Sequence, residues 1–254
     1  MARFGVKEVA DVMFYNLLTN KAELYLDTLK LSNLENTAES SFATGGKGGS
    51  RLVGWDFGRT ATFNIQDALL NPKSIAMQTG TELEKRTEMI YERVVAVATD
   101  GGSNISKIVL EEKADKDSVQ ICFSEDGYSQ GKEVPTASIT VTDKEITVPS
   151  SDLPVGQKVI VYFTYQTTSD AEVLTIKSDK FSGYYRIVGK TVWRSETTGK
   201  DEKVQIVIPK AKIGSEFTLT MQPDGDPSVF DMKLDVFKDP ASTDMVKIVR
   251  YNKN

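Results

Sequence analysis

Apolar and polar residues alternate with period two through much of the 254-residue chain. That is the signature of strands with one buried and one solvated face. In the stretch 217–237, Phe217, Leu219 and Met221 alternate with Thr218, Thr220 and Gln222. Beyond Pro223-Asp224-Gly225-Asp226-Pro227, Phe230, Met232, Leu234 and Val236 alternate with Asp231, Lys233 and Asp235. The pattern predicts two long strands closed into a hairpin, because Pro223 presets the turn and Gly225 tolerates positive φ. The longest alternating run is Arg51 to Gln66. It predicts a long twisted strand with Val53, Trp55, Phe57, Ala61, Phe63 and Ile65 on one face, interrupted only by Arg59.

Other segments fill in a mainly β chain. Residues 9–31 predict a first hairpin, Val9 to Leu18 and Ala22 to Leu31, turning at Thr19-Asn20-Lys21, with a slip between Leu26 and Leu29 that suggests a bulge. Asn71, Pro72 and Gly80 frame Ile75, Ala76 and Thr79 at near-helical spacing, which predicts one short helix with an N-cap, a proline at its first position and a glycine beyond its end. Met89 to Thr99 returns to strand, as do Ala171 to Ile176, Tyr184 to Trp193 and Lys203 to Ile208. Between them, residues 100–180 hold short runs such as SVQICFS, ASITV, EITV and KVIVYFTYQT, separated by turn residues. This section is expected to be a β-rich insertion or subdomain, with residues 1–99 and 181–254 as the framework. It is also acidic: 14 Asp/Glu face 8 Lys within 100–180, a net of −6 in a chain of net −5. A protein built to grasp nucleic acid would carry a basic stripe instead.

Composition removes several chemistries. There is no histidine and a single cysteine, Cys122. Histidine-based nucleophilic systems, His-ligated metals and internal disulfides are thereby excluded. No cofactor or metal site is expected, and the chain is expected not to be an enzyme. No run approaches the ~18 consecutive apolar residues of a membrane-spanning helix, so no membrane partner is expected, and the start lacks a signal-peptide pattern. Two glycine-rich stretches tempt a phosphate-loop reading. In SFATGGKGGS, Gly46-Lys47 is followed by Gly48 rather than Ser or Thr. In Gly183 to Thr191, five bulky residues separate the glycines. Neither fits a phosphate cradle, and the first reads as a mobile loop or assembly arm. The acidic pairs Glu111/Glu112 and Asp224/Asp226 read as turn and surface residues.

The segments DALLNPKSIAMQTG (67–80), DKFSGYYRIVGKTVWR (179–194), VIPKAKI (207–213) and the closing stretch 217–237 resemble the major tail, or tail tube, proteins of long-tailed bacteriophages. That resemblance implies a β-sandwich or partial barrel with one short flanking helix and a β-rich insertion. It further implies strands that join between six subunits into a ring barrel, and rings stacked into a hollow tube. The implied partners are the chain itself and other phage tail proteins, with DNA passing through without specific binding, in a virion tail assembled in the bacterial host cytoplasm. Two site expectations accompany it: a ring-to-ring contact loop of Phe42, Gly45, Gly46, Lys47, Gly48, Gly49 and Arg51, and a lumen face of Thr218, Thr220, Gln222, Asp231 and Asp235. A capsid-decorating virion protein is the alternative.

Overall fold

The computed structural model describes residues 3–225 and 227–251. Along the chain the strands are β1 (Phe4–Val6), β2 (Asp11–Asn16), β3 (Ala22–Leu26), β4 (Leu29–Gly45) and β5 (Ser50–Asp67), followed by helix α1 (Pro72–Thr79). Next come β6 (Leu83–Lys85), β7 (Met89–Val97), β8 (Thr99–Gly102), β9 (Ile105–Val109), β10 (Gln120–Phe123), β11 (Thr140–Thr142), β12 (Glu145–Pro149) and β13 (Lys158–Gln166). The chain finishes with β14 (Glu172–Leu174), β15 (Tyr184–Ser195), β16 (Asp201–Ile213), β17 (Phe230–Phe237) and β18 (Lys247–Tyr251). The fold is mainly β, with several antiparallel sheets and one α-helix among the described residues. Two compact units emerge, Met1–Leu83 with Leu174–Asn254, and Glu84–Val173. The second unit starts before residue 100 because β7 pairs along its whole length with β13.

The first unit is built on one nine-stranded sheet in the order β3-β2-β15-β16-β17-β5-β4, with β1 added on β15 and β18 on β16. Its two outermost strands, β3 and β4, are consecutive in sequence. Leu26 and Leu29 are three peptide links apart and so lie within about 11 Å of each other. The sheet must therefore fold back on itself, and Ala10 N–H donates to Ser32 Oγ at 3.0 Å across the meeting ends. No ladder joins β3 to β4, so the result is a sandwich rather than a closed barrel. The slip between Leu26 and Leu29 is thus a corner between layers and not a bulge; the bulge of this first hairpin lies between Phe14 and Tyr15. Val12, Phe14, Leu24, Phe63, Ile187, Ile208 and Leu234 fill the space between the layers, with Ile75 and Met77 of α1 packed against them.

The helix follows its sequence signals. Asn71 Oδ1 accepts from Lys73 N–H at 3.0 Å, Pro72 opens the first turn, and Gly80 ends it at φ 69°. Thr81 N–H then reaches back to the Ala76 carbonyl at 2.9 Å, satisfying an otherwise orphaned acceptor.

The closing hairpin is not formed. Only its second half is a strand: β17 pairs with β5 over Phe230–Val236 on one edge and with β16 over Leu234–Phe237 on the other, and 217–222 adds no ladder to it. The described residues of 214–229 lie outside any strand, though Phe217 packs on the core beside Phe230, ring centroids 5.9 Å apart. Of Ala171 to Ile176, only Glu172–Leu174 is extended, and it pairs with β6.

The second unit is a small sandwich of its own. One sheet has the order β10-β13-β7 and the other β11-β12-β9-β8. Val119, Ile121, Ile146, Val148, Val159 and Val161 are among the residues that fill its core. The chain crosses from one sheet to the other at Ala98, which is buried. Cys122 is wholly buried in β10 and accepts a hydrogen bond from Gln130 Nε2 at 3.2 Å.

Candidate assembly surfaces

β4 and β5 form a hairpin far longer than the layer that carries it. β17 covers β5 only from Ala61 to Asp67. Beyond Thr37 and Thr60 the two strands continue alone to the turn at Gly45–Ser50. At about 3.3 Å per residue this free ribbon reaches roughly 26 Å from Thr37 to Gly45. The stretch SFATGGKGGS (41–50), expected as a mobile loop or assembly arm, is therefore the end of β4 and the turn into β5. The ribbon's polar residues are held by cross-strand partners: Thr37 Oγ1 meets Thr60 Oγ1 at 2.7 Å, and Ser40 Oγ donates to Asp56 Oδ1 at 2.6 Å. The glycines serve geometry more than mobility, since Gly46, Gly48 and Gly49 all have positive φ in the reversal. Lys47 sits exposed at the apex.

Phe42 and Arg51 are placed together near the tip. The Phe42 ring lies over Gly54, where a Cβ would come within 2.9 Å of it. Arg51 covers the ring at 4.0 Å from its centroid, a cation–π contact. One face of the arm is thus finished by its own residues.

The other face is not. Three residues on β4, Thr37 to Glu39, oppose four on β5, Phe57 to Thr60, which is a β-bulge at Gly58 with φ 59°. Directly paired residues share a face, so Phe57 belongs with Thr60 and Thr62, opposite Ala61, Phe63 and Ile65. The expected single face is therefore split. Ala61, Phe63 and Ile65 enter the core, while Val53, Trp55 and Phe57 stay 53, 55 and 51% exposed. Across from this stripe stand only Ala43, Ser41 and Glu39. Sequence alternation alone could not show the reversal; Gly58 was the one signal for it.

The five lumen candidates are not one surface. Asp231 and Asp235 project from the exposed face of β17, and Asp231 Oδ1 accepts from Gln66 Nε2 at 2.9 Å. Register puts Thr62, Asn64 and Gln66 of β5 on that same face, with Lys233 between the aspartates. Thr218, Thr220 and Gln222 lie instead in the irregular segment before β17. At the two phosphate-loop look-alikes, Gly189-Lys190-Thr191 sits inside the β15 ladder, and Gly46-Lys47-Gly48 is the arm's turn, so no backbone amides converge on an anion site. Asp226 lies outside the described residues. Among the described residues no group of three or more metal-ligating side chains gathers, and no helix is long and apolar enough to cross a membrane.

Comparison with curated proteins gives no match. A family model described as the YomU/Tube protein family matches residues 4–250, nearly the whole chain, and the chain belongs to that family.

Proposed function

We propose that this chain is the structural subunit of a bacteriophage tail tube, forming hexameric rings that stack into a hollow conduit for DNA ejection. The observation that carries the reading is the projecting β4–β5 arm, with Val53, Trp55 and Phe57 bared along one side. A two-stranded ribbon is marginally stable in water, and one with an uncovered aromatic stripe gains most when a neighbour covers it. A ring of identical subunits supplies such neighbours without a second gene product, and its closure removes free strand edges. The tube named in the family description agrees with this geometry. The arm, with Phe42 and Arg51 near its end and Gly45 to Gly49 at its turn, makes the contact between rings. Further tail proteins meet the tube at its ends, and the assembled particle is the virion tail, built in the host cytoplasm.

Full-length protein viewed by negative-stain electron microscopy over a range of concentrations and salt should give rings or hollow tubes. Monodisperse single subunits at every concentration would count against self-assembly and favour a protein that decorates another lattice.

In this reading the exposed face of β17 and β5 lines the lumen. Its hydroxyl and amide groups at Thr62, Asn64 and Gln66, with Asp231 and Asp235, offer DNA few cations to hold. Replacing Asp231 and Asp235 by lysine changes the charge of each subunit by about +4. Tubes should still form, but DNA should bind their interior and leave slowly, with the defect relieved as salt rises. Ejection at the normal rate at low salt would place this face elsewhere.

A further inference from the structure

The long strand β16 carries two strands in line along one edge. β17 pairs with it over Lys210–Ile213 and β18 over Lys203–Val207, both antiparallel. Together they follow the course of one strand, interrupted by residues 238–246, where Asp239 N–H closes on the Asp244 carbonyl at 2.8 Å. β5 keeps to this line only in part. It pairs with β17 as far as Ala61 and Val236, and the next stretch, Arg51 to Thr60, has β4 on one edge and no ladder on the other. Among the described residues the outer edge of β18 has no ladder either. A β5 that continued straight would run beside β18, so the two bare edges belong to one gap in the sheet.

The strands already paired fix the register in which that gap would close. At the Gly58 bulge, β5 advances three residues from Thr60 to Phe57 while β4 advances two. From Ala211 to Ile208, β16 likewise advances three while β15 advances two. The two irregularities cancel. Phe237 stands on Lys210 and is next in line to Thr60; two steps further, β18 has reached Lys247 and β5 has reached Phe57. Phe57 would thus meet Lys247, Trp55 would meet Val249, and Val53 would meet Tyr251. Lys247, Val249 and Tyr251 pair with Val207, Gln205 and Lys203, on the face opposite the buried Val204 and Ile208. That is also the face of the bare stripe, which shares it with Thr60 and Thr62. Aromatic beside β-branched side chains, and a cation beside a ring, are favourable cross-strand neighbours. A shift of one residue would turn the stripe away from all three.

We propose that the arm is a strap: it swings about Gly58, zips the outer edge of β5 onto β18 of its own chain, and must be released before the subunit polymerises. The structure holds the strap lifted. Closing it calls for new dihedral angles at the bulge, and a bulged glycine at φ 59° is a joint that can take them up. Once zipped, both edges have main-chain partners and neither is offered to another copy. An edge in the same chain acts at a far higher effective concentration than one on another copy in dilute solution. The link to polymerisation rests on the self-assembly reading; the closure does not.

A full-length chain carrying Asp56→Cys and Ile248→Cys tests the register. Both residues are exposed, they oppose each other in the zipped pairing, and the native Cys122 is buried. Directly opposed residues of antiparallel strands lie within disulfide reach. With oxidised glutathione in dilute protein, the expected product is a disulfide within one chain, read by intact mass and non-reducing electrophoresis. Asp56→Cys with Val249→Cys sets the thiols on opposite faces and should close far more slowly. The chain locked through residues 56 and 248 should form neither rings nor tubes, and reduction should restore them.

No bond within the chain, or equal rates in the two registers, would overturn the strap. A locked chain that polymerises at the native threshold would overturn its control of assembly. Hydrogen exchange of the unsubstituted chain is independent of the cysteines: in dilute protein the β18 amides that point away from β16 should exchange slowly, and exchange at the rate of a free peptide would overturn closure. A chain that forms the bond but never polymerises when reduced would keep the strap and overturn the tube. Polymerisation without the bond would keep the tube and overturn the strap.

Discussion

Replacing Trp55 and Phe57 together by serine should abolish self-assembly and leave the isolated subunit as stable as before. Both rings are about half exposed, at 55 and 51%, and neither belongs to the buried core. Substitution at exposed positions usually changes folding stability by no more than about 0.5 kcal/mol. Covering the bare half of each ring at ~25 cal/mol per Å² is worth about 2–3 kcal/mol. Losing both from each subunit contact removes at least ~4 kcal/mol, so the concentration needed for assembly should rise roughly a thousandfold. Sedimentation of the native and doubly substituted chains over a concentration series gives that ratio, and urea unfolding of both checks the subunit. Tubes from the serine variant at the native threshold would mean that the stripe covers nothing in the assembly. Replacing Phe42 gives a contrasting case, because its ring already lies between Gly54 and Arg51 within the arm. Phe42→Ser should loosen the tip and affect assembly less.

How far the structure could be read from sequence depends on where each element finds its partners. Helix α1 was legible because its caps are local: Asn71, Pro72 and Gly80 act on atoms within a turn. β5, β7, β15 and β16 were legible because their alternation is long. The polar half of β4 was not, since Glu35 to Gly45 has no apolar period; it is extended because β5 lies beside it and accepts its backbone bonds. The pattern at 217–222 deceived for the opposite reason. Its alternation is sound, but the ladders of β17 come from β5 and, over Leu234–Phe237, from β16, and such long-range pairing leaves no trace in the segment itself. The same limit applied to the surface. The glycine-rich tip stood out by composition, whereas the aromatic stripe was read as sharing one face with Ala61, Phe63 and Ile65, a face that the Gly58 bulge splits. Asp231 and Asp235 were placed on a solvated face by strand parity alone, which the β17 ladder preserves.

Gly80→Ala should be the most damaging single methyl that can be added to the first unit. Gly80 closes α1 at φ 69°, a conformation that costs a residue with a Cβ about 1 kcal/mol or more. Lack of space costs more. A Cβ there would stand 2.0 Å from the Phe181 carbonyl oxygen and 2.4 Å from its carbon, so the obstacle is backbone that cannot rotate away. Either the helix end or the segment leading into β15 must move, and both pack on the core. Together these effects should lower unfolding free energy by about 3 kcal/mol or more, a large part of the 5–15 kcal/mol typical of a folded domain. At 2–4 °C per kcal/mol for a chain of this size, the melting temperature should fall by about 6–12 °C. Gly199→Ala separates backbone conformation from crowding: Gly199 has nearly the same φ, 64°, with nothing within 4 Å of the added carbon. It should lose only the conformational part, about 1 kcal/mol. Equal losses at the two positions in urea unfolding would show that the approach of Phe181 to Gly80 relaxes freely. A loss at Gly80 several times larger would establish that the helix end and the strand behind it are locked through that glycine.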